Sequence, residues 1–301
     1  MRIWPLRLAM LVGVVVLGVA AYAAYIGYRL YFHGPGALER MEVSAPVQTV
    51  RYGASPLQAA DLRLPDGPGP FPVVVLIHGG CWDNGFGVKA QMAPLADALG
   101  KRGLATLNVE YRQVGDQGGG WPGTMRDVGA ALDSLNGLAQ EHRLNLGKVT
   151  VVGHSAGAQL ALWTAMRDRL SPSSDLFSPD PVKPTAVVAV DGPGTLAEFI
   201  GVDAEVCGKP VIVPFMGGTP KQFPQRYIDA SPQDHLPLGI PQSFAQALFA
   251  DRMQPYIDRS KAAGDPVEVF RPTDGKHFDI VNPTQKQGQG TIDLIARAAV
   301  R

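Results

Sequence analysis

With 301 residues, 27 basic against 27 acidic side chains and 46% apolar residues, the chain has material for one large domain and no basic surplus to draw it to nucleic acid. Charged residues are only 18%, a balance of apolarity and charge that excludes a disordered chain. Residues 1–33 form the first segment. Leu8 to Ile26 is an apolar run without a charge, long enough as a helix to span roughly 28 Å. Arg2 and Arg7 precede it, and Tyr22, Tyr25, Tyr28 and Tyr31 stand at its far end. The pattern predicts a membrane anchor with its N-terminus in the cytoplasm. The competing expectation is a signal peptide cleaved near Ala21-Tyr22-Ala23. Either places the remainder on the outer side of the membrane, periplasmic or extracellular.

Gly34-Pro35-Gly36 ends that segment, residues 34–47 read as a linker, and a domain is expected over 48–301. Leu57–Leu64 alternates as a half-buried strand does, and Pro72–Ile77 is a β-branched run fit for a strand buried on both faces. A helix over Ala90–Lys101 and a strand over Ala105–Tyr111 follow. Met125, Val128, Leu132, Leu135 and Leu138 recur at helical spacing, so Thr124–His142 is expected as one amphipathic helix. Next come a strand at Lys148–Gly153, a helix at Ala156–Arg169 and a strand at Ala186–Val190. The last group is a strand at Ser243–Ala250, a helix at Pro255–Ala263, a strand at Val267–Arg271 and a terminal helix at Thr291–Val300. Strands alternating with helices predict an α/β fold, a mostly parallel, doubly wound sheet with helices on both faces. Residues 192–239, rich in Gly and Pro and without a long periodic segment, are expected as a lid-like insertion.

Two motifs carry chemistry. Gly153-His154-Ser155-Ala156-Gly157 follows a strand and opens a helix. A serine on such a sharp turn stands proud of the sheet, and the Ala156 N–H at the helix start points toward developing negative charge. His78-Gly79-Gly80-Cys81-Trp82 ends the strongest strand, where two glycines leave backbone N–H groups uncovered. Cys81 and Cys207 are the two cysteines, and with Cys81 inside this loop they are expected as free thiols. No Cys/His cluster has metal-ligand spacing and no motif asks for a cofactor.

These motifs, with Asp61-Leu62-Arg63-Leu64-Pro65, Glu110-Tyr111-Arg112, Trp121-Pro122 and Asp127-Val128, resemble the His-Gly-Gly-x-Trp branch of the α/β-hydrolases. That branch is the BD-FAE-like esterases, with the kynurenine formamidases alongside. The resemblance runs from about Tyr52 to Val281 and implies an α/β-hydrolase fold. It assigns the oxyanion hole to the N–H groups of Gly80, Cys81 and Ala156, and structural roles to Asp61, Asp127 and Arg112. A serine needs a base and the base an orienting carboxylate, in the chain order Ser, acid, His for this fold. Order and position select His277 in Gly275-Lys276-His277-Phe278. Asp251, at the expected end of the preceding strand, is the expected acid, since Asp251-Arg252-Met253-Gln254-Pro255 resembles the family's Asp-x-x-Val-Pro turn. The family's His-Gly before this Asp is replaced by Ala247 and Leu248, and Asp258, Asp229 and Asp234 stand as alternatives. Trp82 and His154 are expected to bind substrate. The expected activity is hydrolysis of small or medium carboxylic esters, a small-molecule partner. An amidase or formamidase is the nearest alternative, and an inactive membrane-tethered binding protein the alternative from another class.

Overall fold

The computed structural model describes residues 12, 15–23 and 34–301. Most of the anchor or signal expectation for residues 1–33 falls outside the described residues. Residues 15–23 are helical, and among the described residues no helix is long and apolar enough to cross a membrane.

The segment expected as a linker is docked on the domain. A short helix α1 (Pro35–Glu39) buries Leu38 against the core. The Ser44 N–H donates to Asp97 Oδ1 at 3.1 Å, and Arg63 Nε donates to the Ser44 carbonyl at 3.0 Å. The domain is built on strands β1 (Gln48–Arg51), β2 (Ala59–Arg63), β3 (Phe71–Ile77), β4 (Ala105–Val109), β5 (Leu144–His154), β6 (Ala186–Val190), β7 (Gln242–Ala245) and β8 (Val267–Phe270). They form one sheet in the order β1-β2-β4-β3-β5-β6-β7-β8. β2 runs antiparallel to both neighbours and all other pairs are parallel.

The β-branched run in β3 explains its central place. Val73, Val75 and Ile77 face one core, with Met125 and Val128 of α3 (Gly123–Asp133) and Leu160 of α5 (Ala156–Thr164). Val74 and Leu76 face the other, with Leu95 of α2 (Ala93–Gly100) and Ile295 of α10 (Lys286–Val300). Successive strand residues point to opposite faces, so only a strand covered on both sides takes so continuous an apolar run.

Several elements differ from expectation, among them β1, which was not expected, and α10, which begins at Lys286 and not at Thr291. The long amphipathic helix is two, α3 and α4 (Leu135–Glu141), separated at Ser134, whose hydroxyl donates to the Ala131 carbonyl at 2.6 Å and competes with the helix ladder. β7 ends at Ala245, and α9 (Ala250–Ala262) already begins where the strand was expected to finish, with Pro255 inside it. The insertion holds three short helices, α6 (Val202–Cys207), α7 (Ile212–Met216) and α8 (Pro224–Ala230).

The expectation of free thiols is overturned: Cys81 and Cys207 form a disulfide, with Cα atoms 6.3 Å apart. The loop after β3 and the end of α6 meet over the sheet, an approach that no local pattern in the chain announces.

Candidate active site

Ser155 joins β5 to α5 at φ 55° and ψ −123°. This left-handed backbone is unusual for a residue with a side chain, and it persists only where the surroundings enforce it. Its N–H donates to the Val190 carbonyl at 2.9 Å, tying the turn to the end of β6. The flanking glycines are a packing demand: a Cβ on Gly153 would lie 1.9 Å from the Gly157 carbonyl oxygen, and one on Gly157 would lie 2.3 Å from that of Ile77. Ser155 and Ala156 border a small cavity of about 30 Å3, whose walls include Trp82, Phe199, Val202, Val206 and Ile212. Asp203 also borders it, but its carboxylate is occupied by the N–H groups of Gly201, Ala204, Val211 and Ile212. Burial raises the Asp203 pKa; these donors outweigh it and hold it below the ordinary carboxylate value.

The Ser155 hydroxyl makes no hydrogen bond among the described residues. His277, in the loop after β8, rests against the ring of His154, the residue before Ser155, with centroids 4.5 Å apart. It also meets the edge of Phe249, which borders the cavity with Ser155. His277 Nδ1 bonds Asp191 Oδ2 at 2.7 Å, and its other ring nitrogen is unengaged among the described residues.

The carboxylate on His277 is therefore Asp191, and the expectation of Asp251 is corrected. Asp251 is exposed in the first turn of α9, one strand and one turn too late. Of the alternatives, Asp229 takes Ser174 and Gln225, Asp258 takes Gln254, and Asp234 is not bonded to His277 either. Asp191 follows β6 at φ 46°, with its side chain wholly buried. The loop after β7, where the acid was expected, supplies N–H groups instead. Ala247 and Phe249 donate to Asp191 Oδ1, both at 2.9 Å, and Leu248 to Oδ2 at 3.1 Å. Burial pushes the Asp191 carboxyl up, but the hydrogen bond and charge of His277, with those N–H groups, outweigh it and hold its pKa below the ordinary value. A signal existed in the sequence: Asp191 interrupts an apolar strand at its tip, where a buried carboxylate needs partners.

His154 is not a substrate contact. It is 2% exposed and donates from Nε2 to the His277 carbonyl at 2.7 Å, so it holds the His277 loop in place. Burial, then the neighbouring His277, push its pKa down to about 3 and keep it neutral. Trp82 does border the cavity, stacked on Phe215 with centroids 5.2 Å apart. Of the three expected oxyanion donors, Cys81 and Ala156 border the cavity and Gly80 does not. No main-chain carbonyl of the described residues accepts the N–H of any of them. His78 lies beneath this loop, wholly buried, bonded to the Gly79 carbonyl and to Glu110, and stacked on Tyr111. Asp127 is clamped by Arg112 and Gln58, and Asp61 by Lys89 and Thr49. Among the described residues no group of three His, Cys, Asp or Glu side chains is placed to hold a metal ion.

The fold is similar to that of solved esterases. A truncated carbohydrate esterase from gut microbiota superposes with a TM-score of 0.68 at 16% identity, over 86% of this chain and 98% of that one. The propionate-bound esterase of the planctomycete Thermogutta terrifontis gives 0.65 at 19%, over 84% and 93%. Other structures of that esterase carry butyrate or are phosphonylated by sarin. A bifunctional GH43-CE protein of Bacteroides eggerthii gives 0.65 at 21%, covering 83% of this chain, which spans only 37% of that larger protein. Comparison with curated proteins gives no match. The BD-FAE family profile matches residues 60–252, from β2 through the Ser155 turn to the start of α9. A chain matched over that span, with Ser155 on its strained turn, belongs to the BD-FAE family.

Proposed function

We propose that this protein is a serine esterase that cleaves carboxylic esters of small or medium acyl groups through an acyl-enzyme. The observation that carries the reading is the unengaged Ser155 hydroxyl on a left-handed turn at an apolar cavity, beside a histidine oriented by a buried carboxylate. Ser155 Oγ attacks the ester carbonyl carbon while His277 Nε2 takes its proton. Asp191 holds the Nδ1–H tautomer and stabilises the imidazolium that forms. The N–H groups of Cys81 and Ala156 receive the oxyanion, each such donor being worth about 2.7–4 kcal/mol at comparable sites. The imidazolium returns its proton to the leaving alcohol, and water, activated by the same ring, releases the acid. With Asp203 fully occupied, the bordering residues offer no free charge to a charged acyl group.

A disulfide persists in oxidising compartments, which supports a domain working outside the cytoplasm. The test is an acyl-length series of p-nitrophenyl esters, acetate to decanoate, with N-formylkynurenine as the amide comparison. We expect turnover of the short esters, and loss of nearly all of it in Ser155→Ala with the fold retained. An unchanged rate in that variant refutes the reading.

A further inference from the structure

The Cys81–Cys207 bridge spans 126 residues of sequence and joins two walls of the cavity. Cys81 belongs to the loop after β3 that borders the cavity, and Cys207 is the last residue of α6. That loop needs holding, because Gly80, Cys81 and Trp82 follow one another at φ of 116°, 56° and 53°. Side-chain-bearing residues keep such a run only where their surroundings over-determine it. Backbone hydrogen bonds tie Trp82 and Asn84 to Val114 and close the Gly80–Asp83 turn, and three further links run to the insertion. Trp82 stacks on Phe215 of α7, Lys209 Nζ pairs with Asp83 Oδ2 at 2.8 Å, and the disulfide fixes Cys81 itself. Lys209 also lies over the Phe86 ring at 5.4 Å, but it is an exposed cation and holds weakly. The bridge alone acts on the residue whose N–H faces the oxyanion. Both cysteines are partly exposed, within reach of a small thiol.

We propose that the Cys81–Cys207 disulfide is a thiol-sensitive switch on the site: oxidised, it holds the oxyanion loop and α6 in working register, and reduced, it frees both and turnover falls. The regulatory half rests on the esterase reading above. A dithiol supplies the electrons. One of its sulfurs attacks the bridge as thiolate, the protein S–S bond breaks and a mixed disulfide forms. The second sulfur then closes the reagent's own disulfide. The protein gains two electrons and two protons as two cysteine thiols.

The test treats the protein with dithiothreitol, confirms both thiols by mass, and follows p-nitrophenyl acetate turnover together with amide hydrogen exchange. We expect kcat to fall at least about ten-fold, the scale of a weakened oxyanion donor, and to recover on reoxidation. Exchange is expected to accelerate in residues 80–86 and 202–209 and to stay unchanged in β5 and α5. Cys207→Ser is expected to match the reduced protein and to ignore the dithiol. A fully reduced protein with unaltered turnover overturns the proposal, as does exchange unaltered in both segments or accelerated throughout the domain, which would make the bridge a general staple. If the oxidised protein hydrolyses no ester, the esterase reading fails by itself, and the exchange pattern still decides whether the bridge governs these two segments.

Discussion

Asp191 and Asp251 both begin as carboxylates beyond a parallel strand, and the difference between them is their surroundings. Asp191 has no exposed side-chain surface and collects donors from His277 and from three successive backbone N–H groups. Asp251 stands in solvent at a helix start. Removing the Asp191 charge leaves those N–H groups in place but turns the partner of His277 Nδ1 into an amide, which no longer selects the right tautomer. On the esterase reading the loss is about 10⁴-fold in kcat. Asp191→Asn is therefore expected to lose kcat on that scale with KM little changed, while Asp251→Asn stays within about two-fold of the parent, since an exposed first-turn acid contributes only tenths of a kcal/mol to its helix. Steady-state kinetics on a short ester separates the two, and equal losses would return the role of acid to Asp251.

At the scale of elements, the crossing of β3, β5 and α5 positions Ser155, and its tolerance is set by backbone atoms. A methyl group on Gly157 meets the carbonyl oxygens of Ile77 and His78 at 2.3 and 2.5 Å. Neither is the end of a flexible side chain, so the helix itself has to move. Gly157→Ala is expected to cost at the upper end of the roughly 1–3 kcal/mol of overpacking, or more, read as a lowered urea midpoint and weaker fluorophosphonate labelling of Ser155. Wild-type labelling at an unchanged midpoint would count against so tight a crossing. This crossing was legible in the sequence because apolar strand, Gly-x-Ser-x-Gly and helix are contiguous. β6, Ala186–Val190, was legible to the residue for the same reason: it is short, β-branched and ends in Asp-Gly. The acid was not, because β6 and β7 both end near His277, and only the packed sheet decides which tip offers a side chain and which offers N–H groups. Ala247 and Leu248, departures from the family's His-Gly, mark the tip that supplies N–H groups. The disulfide was illegible because its partners meet only after the insertion has folded over the sheet.

For the molecule as a whole, the same buried polar cluster that orients His277 couples folding to pH. His154 is enclosed by His277, Asp191 and His78, and its proton affinity falls from the ordinary imidazole value of 6.5 to about 3. In the unfolded chain the ring takes up a proton near pH 6.5; in the folded one it resists until about pH 3. Between these values the unfolded state binds more protons, so stability is full above pH 6.5 and is lost as pH falls. The depressed Asp191 carboxyl acts in the same direction at lower pH, its contribution present above the ordinary carboxylate value and lost as pH drops through the folded one. The His154 contribution is lost progressively as pH falls from 6.5, because burial first and then the neighbouring His277 oppose its charging in the folded state. Urea unfolding followed from pH 7.5 to 4 is expected to show a steep loss of stability below pH 6.5. His154→Gln, which keeps a donor for the His277 carbonyl but cannot titrate there, is expected to flatten that slope while starting from a lower value at pH 7.5. Parallel pH profiles for parent and variant would mean that another group drives acid unfolding, and that His154 holds His277 in place without coupling the fold to pH.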